Sequence, residues 1–343
     1  MNRNIIRQSQ FDRTLSAGAR NATAVCLRLQ PDEQVTIIAD QVGLEIAAAL
    51  VDQVERLGAP YRAFVLEELA PRPLEHMPAP VLADLENSQV SIFAAQAQRG
   101  ELRSRMEMME VVNRKQLRHG HMVNITKEIM LQGMQADFLH IDRLSQYVIE
   151  KARRAKTIHA TSKGGTDMLA EFVPTLKWVK TSGIISRDKW GNLPGGEIFT
   201  SPYTVNGLFV CDGVVGDYLC AKYGDLKSTP LYIEIKDSRV VDLKCENKEL
   251  LNEFAAYTRT DENSNRVGEF AIGTNLAVTN IIGNILQDEK IPGIHIAFGH
   301  PYNEHTGQTW NSTTHIDCVG REFDIWLDDE QIMHAGKFLV EVN

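Results

Sequence analysis

The feature that most constrains the fold is a change of texture near residue 160. Up to there, apolar runs of strand length alternate with amphipathic stretches of helix length, the order of a doubly wound α/β unit. The runs predict strands at 35–39, 61–65, 90–94, 121–125 and 157–161, with crossover helices over 44–57 and 102–117. From Gly164 onward the chain turns to glycine punctuation and short β-branched runs, as at 207–213, 231–235 and 240–243. Such spacing predicts mainly antiparallel structure. Helices are expected there over 248–257 and 277–287. A chain of 343 residues exceeds the usual size of one core. The expected fold class is therefore α/β, with an N-terminal doubly wound domain over 1–160. A C-terminal, mainly antiparallel β domain with helices is expected over 161–343.

A formal net charge of −9 argues against a protein that grips nucleic acid through its phosphates. The basic runs at 99–105 and 151–156 read as solvated helix faces. No glycine-rich phosphate motif follows any expected strand. The N-terminus lacks the apolar core of a signal peptide, and no run approaches the roughly 18 apolar residues of a membrane span. The expectation is a cytoplasmic chain with neither nucleic-acid nor membrane partners. Five widely spaced cysteines without a CxxC pair indicate neither a disulfide framework nor a thiolate zinc site.

Half of the ten histidines fall between His295 and His334. Within Thr313-Thr-His-Ile-Asp-Cys-Val the β-branched residues favour a strand, so His315 and Asp317 project from one face. A His-x-Asp pair alone fits a structural hydrogen bond equally well. Upstream partners shift the balance. Glu197 follows a Pro-Gly-Gly turn at the start of an apolar run, and Glu269 lies in Val-Gly-Glu-Phe-Ala-Ile-Gly. His295 sits in Ile-His-Ile-Ala-Phe-Gly, among residues that read as core. Carboxylates embedded in such runs want a cation. Two histidines and three carboxylates suit a divalent metal such as Zn, Mn or Co, and five ligands are enough for two ions. His119 and His121 alternate in the same way, and either line the cleft from the N-terminal domain or lie on the surface at a strand edge, the reading that general exposure favours.

The segments Trp190-Gly-Asn-Leu-Pro-Gly-Gly-Glu-Ile-Phe-Thr-Ser-Pro, Gly268-Glu-Phe-Ala-Ile-Gly-Thr-Asn, His295-Ile-Ala-Phe-Gly-His-Pro-Tyr and His315-Ile-Asp together resemble the metal-site motifs of the aminopeptidase T / aminopeptidase S metallopeptidase family. Gly164-Gly-Thr-Asp-Met is similar to that family's Gly-Thr-Asp turn. The resemblance covers roughly 160–340. It implies a two-metal site (Zn, Mn or Co) with Glu197, Glu269, His295, His315 and Asp317 as ligands. It also implies that Tyr302 stabilises an oxyanion, and that the chain is a homodimer acting on a small or short peptide substrate. The implied reaction is cleavage of an amide bond next to a free amine by a metal-activated water, in a cleft between the domains.

One departure bears on the base. The family keeps a glutamate at the position of Lys290, and the nearest carboxylate here is Glu289, one residue off register. Either a local insertion at Pro292-Gly293 returns Glu289 to the site as catalytic base, or the site lacks that carboxylate. A relative of the same fold, 2,5-dihydroxypyridine 5,6-dioxygenase, opens a ring with one Fe(II). His295, His315 and Asp317 match such a two-histidine, one-carboxylate set. Glu197 and Glu269 favour the two-metal hydrolase.

Overall fold

The computed structural model describes residues 5–340 and Val342. The chain separates into two compact units, one of Met1–Leu139 with Gly183–Gly195, the other of His140–Ser182 with Gly196–Asn343. The division falls near the start of a helix, ahead of the change in sequence texture at residue 160.

The first unit carries β1 (Val35–Ala39), β2 (Tyr61–Val65), β3 (Val90–Ala94) and β4 (Arg118–His121) in a parallel sheet of order β2-β1-β3-β4. A late two-residue strand, β8 (Gly191–Asn192), adds to β4. Helix α1 (Leu44–Leu57) is the crossover between β1 and β2, and α2 (Leu102–Lys115) links β3 to β4. β1 and β3 are buried throughout, as strands covered on both faces must be. The strand order reverses between β1 and β3, where doubly wound sheets usually bind ligands. Here that place is filled by the chain's own Arg72. Its guanidinium meets Asp40 at 2.9 Å and Glu101 at 2.5 Å, and also donates to the Gln96 carbonyl. Arg72→Met would leave the buried carboxylates of Asp40 and Glu101 with backbone amide donors but without their counter-cation. We expect it to cost roughly 3–5 kcal/mol, read as a lower urea midpoint.

The fourth strand is Arg118–His121 rather than 121–125. Beyond it Asn124 adopts a left-handed φ of 58°, and its side chain accepts from the Ala97 amide. Nor are His119 and His121 surface residues: both are buried, because β4 lies between β3 and β8. Ser91 Oγ lies 2.8 Å from His119 Nδ1, His119 Nε2 lies 3.1 Å from His121 Nδ1, and Trp190 packs edge-on against both rings. Burial holds His119 well below the ordinary imidazole range; burial and then Arg105 lower His121 to about 4.

The second unit begins with α3 (Phe138–Ala152), followed by β5 (Thr157–Ser162), β6 (Asp167–Glu171) and β7 (Val179–Lys180). β9 (Glu197–Thr200), β10 (Thr204–Cys211), β11 (Leu231–Lys236), β12 (Arg239–Lys244) and α4 (Lys248–Tyr257) come next. Last are β13 (Val267–Gly273), α5 (Ile285–Asp288), β14 (Gly293–Gly299), β15 (His315–Val319), β16 (Phe323–Leu327), β17 (Glu330–His334) and β18 (Lys337–Phe338). Two sheets form, of order β12-β11-β10-β6-β5-β16-β17-β18 and β15-β14-β13-β9-β7. Their apolar faces, including Phe209, Ile233, Phe270, Ile272, Ile296, Phe298 and Ile316, share one core with Leu144 and Val148 of α3. β5, expected in the parallel sheet, pairs antiparallel with β6 and β16.

The expected helix over 277–287 is reduced to α5. The Asp288 carboxylate accepts from the amides of Ile282, Gly283 and Asn284, fixing them in a loop that competes with the helical ladder. Among the described residues no helix is long and apolar enough to cross a membrane, and the five cysteines are free and buried.

Candidate metal centre

Every residue expected to ligate lies on one face of the β15-β14-β13-β9 sheet. The two-residue period of a strand explains why. On β14, Ile294, Ile296 and Phe298 enter the core, so His295, Ala297 and Gly299 take the other face. On β15, Ile316 and Cys318 point inward and His315 and Asp317 outward. Glu269 alternates with Phe270 on β13, and Glu197 with Ile198 on β9. Small residues stand opposite the large polar ones: Gly273 faces Glu197, Ala271 faces His295, Ala297 faces both Glu269 and Asp317, and Gly299 faces His315. A polar pit results. Gly273 has a second constraint, since a Cβ there would lie 1.9 Å from the Ile291 carbonyl oxygen.

Glu269 is shared between two triads. His295 Nε2 lies 3.6 Å from Glu269 Oε1 and 3.6 Å from Glu197 Oε2; His315 Nε2 lies 3.5 Å from Glu269 Oε2 and 3.3 Å from Asp317 Oδ1. The longer of these separations exceed good hydrogen bonds. They are the spacing of donors that share an ion at about 2.0–2.2 Å from each. The donor set therefore fits a divalent metal. His315 Nδ1 lies 3.0 Å from the His300 carbonyl, which can only accept, so Nε2 is the nitrogen turned to the carboxylates. His295 Nδ1 is buried without a hydrogen-bond partner.

The carboxylates govern the protons. Burial alone would lower both imidazoles. Glu269 and Glu197 instead push His295 up to about 9, and Asp317 with Glu269 pushes His315 up to about 10. Burial would raise Asp317, but His315 beside it holds it down at about 2.

Glu289, left open by the sequence, reaches the site. Its carboxylate stands within 4.8 Å of ligand atoms of His295 and Asp317. Burial raises it to about 8, against the pull of Lys290. Lys290 is the residue that sequence reasoning missed, having registered there only as an absent glutamate. Its ammonium is buried in the pit, 2.7 Å from Glu197 Oε1 and 2.5 Å from Glu289 Oε1. The signal was available: a lysine beside a glutamate, leading into the apolar Ile-Pro-Gly-Ile. Thr181 was missed as well, and donates from Oγ1 to Glu197 Oε1 at 2.8 Å.

Tyr302 lies beside these groups, with its ring 4.8 Å from that of His315 and 5.7 Å from that of Phe199. Burial first, then the surrounding carboxylates, hold the phenol well above its ordinary range, so it stays a donor. Its backbone is left-handed, with φ of 48°. Of the tryptophans, Trp178 is core, Trp190 packs on His119 and His121, and Trp310 stacks under Arg266.

No curated protein sequence matches the chain. Among solved structures, AmpT from Thermus thermophilus is 19% identical, with TM-score 0.71, covering 96% of this chain and 99% of that one. The 2,5-dihydroxypyridine dioxygenase of Pseudomonas putida KT2440 is 16% identical, with TM-score 0.68, covering 95% and 97%. At such identities the likeness shows a shared fold. The family model for thermophilic metalloproteases matches residues 140–330, more than half of the chain and the whole of the sheet that bears the pit. The chain belongs to the thermophilic metalloprotease family, M29.

Proposed function

We propose that this protein is an aminopeptidase-type hydrolase, cleaving the amide bond next to a free amine in a small or short peptide substrate. Glu197, Glu269, His295, His315 and Asp317 would hold divalent ions, two of Zn, Mn or Co. An ion so held supplies a Lewis acid that acidifies water and polarises a carbonyl. The observation that carries the reading is the place of Glu289, a carboxylate standing among the ligand atoms of His295 and Asp317. Beside a bound ion, a carboxylate so placed would take a proton from water and return it to the leaving amine. Tyr302, kept protonated, donates to the oxygen that gains charge during attack. The acidic pit suits a substrate that brings its own positive charge.

Aminoacyl amides, dipeptides and hydroxylated N-heterocycles, each offered with Zn, Mn, Co or Fe(II), test the reading. Release of the amino-terminal residue without oxygen uptake supports it. Oxygen-dependent ring opening with Fe(II) alone would transfer the site to the dioxygenase class.

Ion binding is expected to release protons. His295 and His315, pushed to about 9 and about 10, carry protons at neutral pH that ligation must displace. The affinity should thus rise with pH until both have titrated, and fall as pH drops. Calorimetry in two buffers of different ionisation enthalpy measures the protons released; an identical heat in both would contradict this.

A further inference from the structure

The two triads are alike in ligand type and differ in what stands behind them. On the Glu197 side lies Lys290, its side chain 2% exposed and its ammonium bonded to Glu197 Oε1 and Glu289 Oε1. Glu197 Oε1 also accepts from Thr181, so only Oε2, which faces His295, is left for another cation. On the other side His315 and Asp317 are 21% and 17% exposed, and among the described residues no lysine or arginine is paired with either, the cation beside Asp317 being the imidazole whose proton an ion would displace. A buried ammonium is a fixed unit charge in a medium that screens poorly. It matches the charge of Glu197 and repels a divalent ion approaching the same carboxylate.

We propose that Lys290 makes the two ion positions unequal: its ammonium acts as a built-in cation on the Glu197 side. One divalent ion is then held firmly by Glu269, His315 and Asp317, and a second is bound only weakly by Glu197, Glu269 and His295. The inference rests on the metal-centre reading above, but not on which bond is cleaved.

Metal-free full-length protein is equilibrated with Mn²⁺, passed through a desalting column and analysed for metal, with the electron paramagnetic resonance spectrum recorded. The native chain should retain one equivalent with the signal of an isolated ion. Lys290→Gln and Lys290→Met should retain two, with exchange coupling between them, and a second-site affinity raised by about a hundredfold or more. Asp317→Asn should lose the retained ion and Glu197→Gln should keep it. Two equivalents on the native chain would overturn the proposal, a result that needs no variant to fold. One equivalent in both lysine variants, or loss of the ion from Glu197→Gln with retention in Asp317→Asn, would also overturn it. Failure of peptide cleavage with these metal contents intact would sink the aminopeptidase reading and leave the inequality standing.

Discussion

Glu269→Gln is expected to strip the protein of retained metal and to lower kcat/KM for amide cleavage by at least about a thousandfold. No other residue belongs to both outward-facing triads: its two oxygens face His295 and His315 separately, at 3.6 and 3.5 Å. An amide keeps the shape and removes the charge that both positions use. In the ion-free state Glu269 also faces both protonated imidazoles, so the amide should cost some stability near neutral pH, and metal content is read on the folded variant. A cooperative thermal transition of the metal-free variant, at a midpoint somewhat below the native one, would fit. A variant that kept its metal and its activity would show that Glu269 is not shared.

Glu289→Gln should behave differently. As a base rather than a ligand, it should lower kcat by about 10²–10⁴-fold while metal content and KM stay near native values. Glu289 stands close enough to His295 and Asp317 to ligate, so metal analysis of the variant decides between the two roles. Loss of metal together with activity would make Glu289 a ligand and leave the base unassigned.

The ligand face was legible because the strand period is short and strict. In Ile294-His-Ile-Ala-Phe-Gly and His315-Ile-Asp-Cys-Val, the apolar residues claim the core, and the remaining positions have only one face left. Strands β1, β2 and β3 were legible for a related reason, being short runs rich in β-branched or aromatic residues between stretches of helical pattern. Residues whose placement depends on a turn were not. Glu289 and Lys290 follow the short α5, and which of them enters the pit is set by the loop that Asp288 ties down, a tertiary outcome without a period. Both enter. The helix expected over 277–287 failed at the same loop, where side-chain acceptance of backbone amides overrode an apolar spacing. His119 and His121 look like edge residues in sequence and are buried because Gly191–Asn192, seventy positions later, completes the sheet beside them.

The most direct test of the metal centre is anomalous diffraction from crystals grown with Mn²⁺ or Zn²⁺, recorded either side of the metal edge. The account predicts its strongest peak bounded by Glu269, His315 and Asp317, with any second peak bounded by Glu197, Glu269 and His295 and weaker. Crystals with the metal present but without a peak on this sheet face, or with the ion bound elsewhere in the chain, would contradict it.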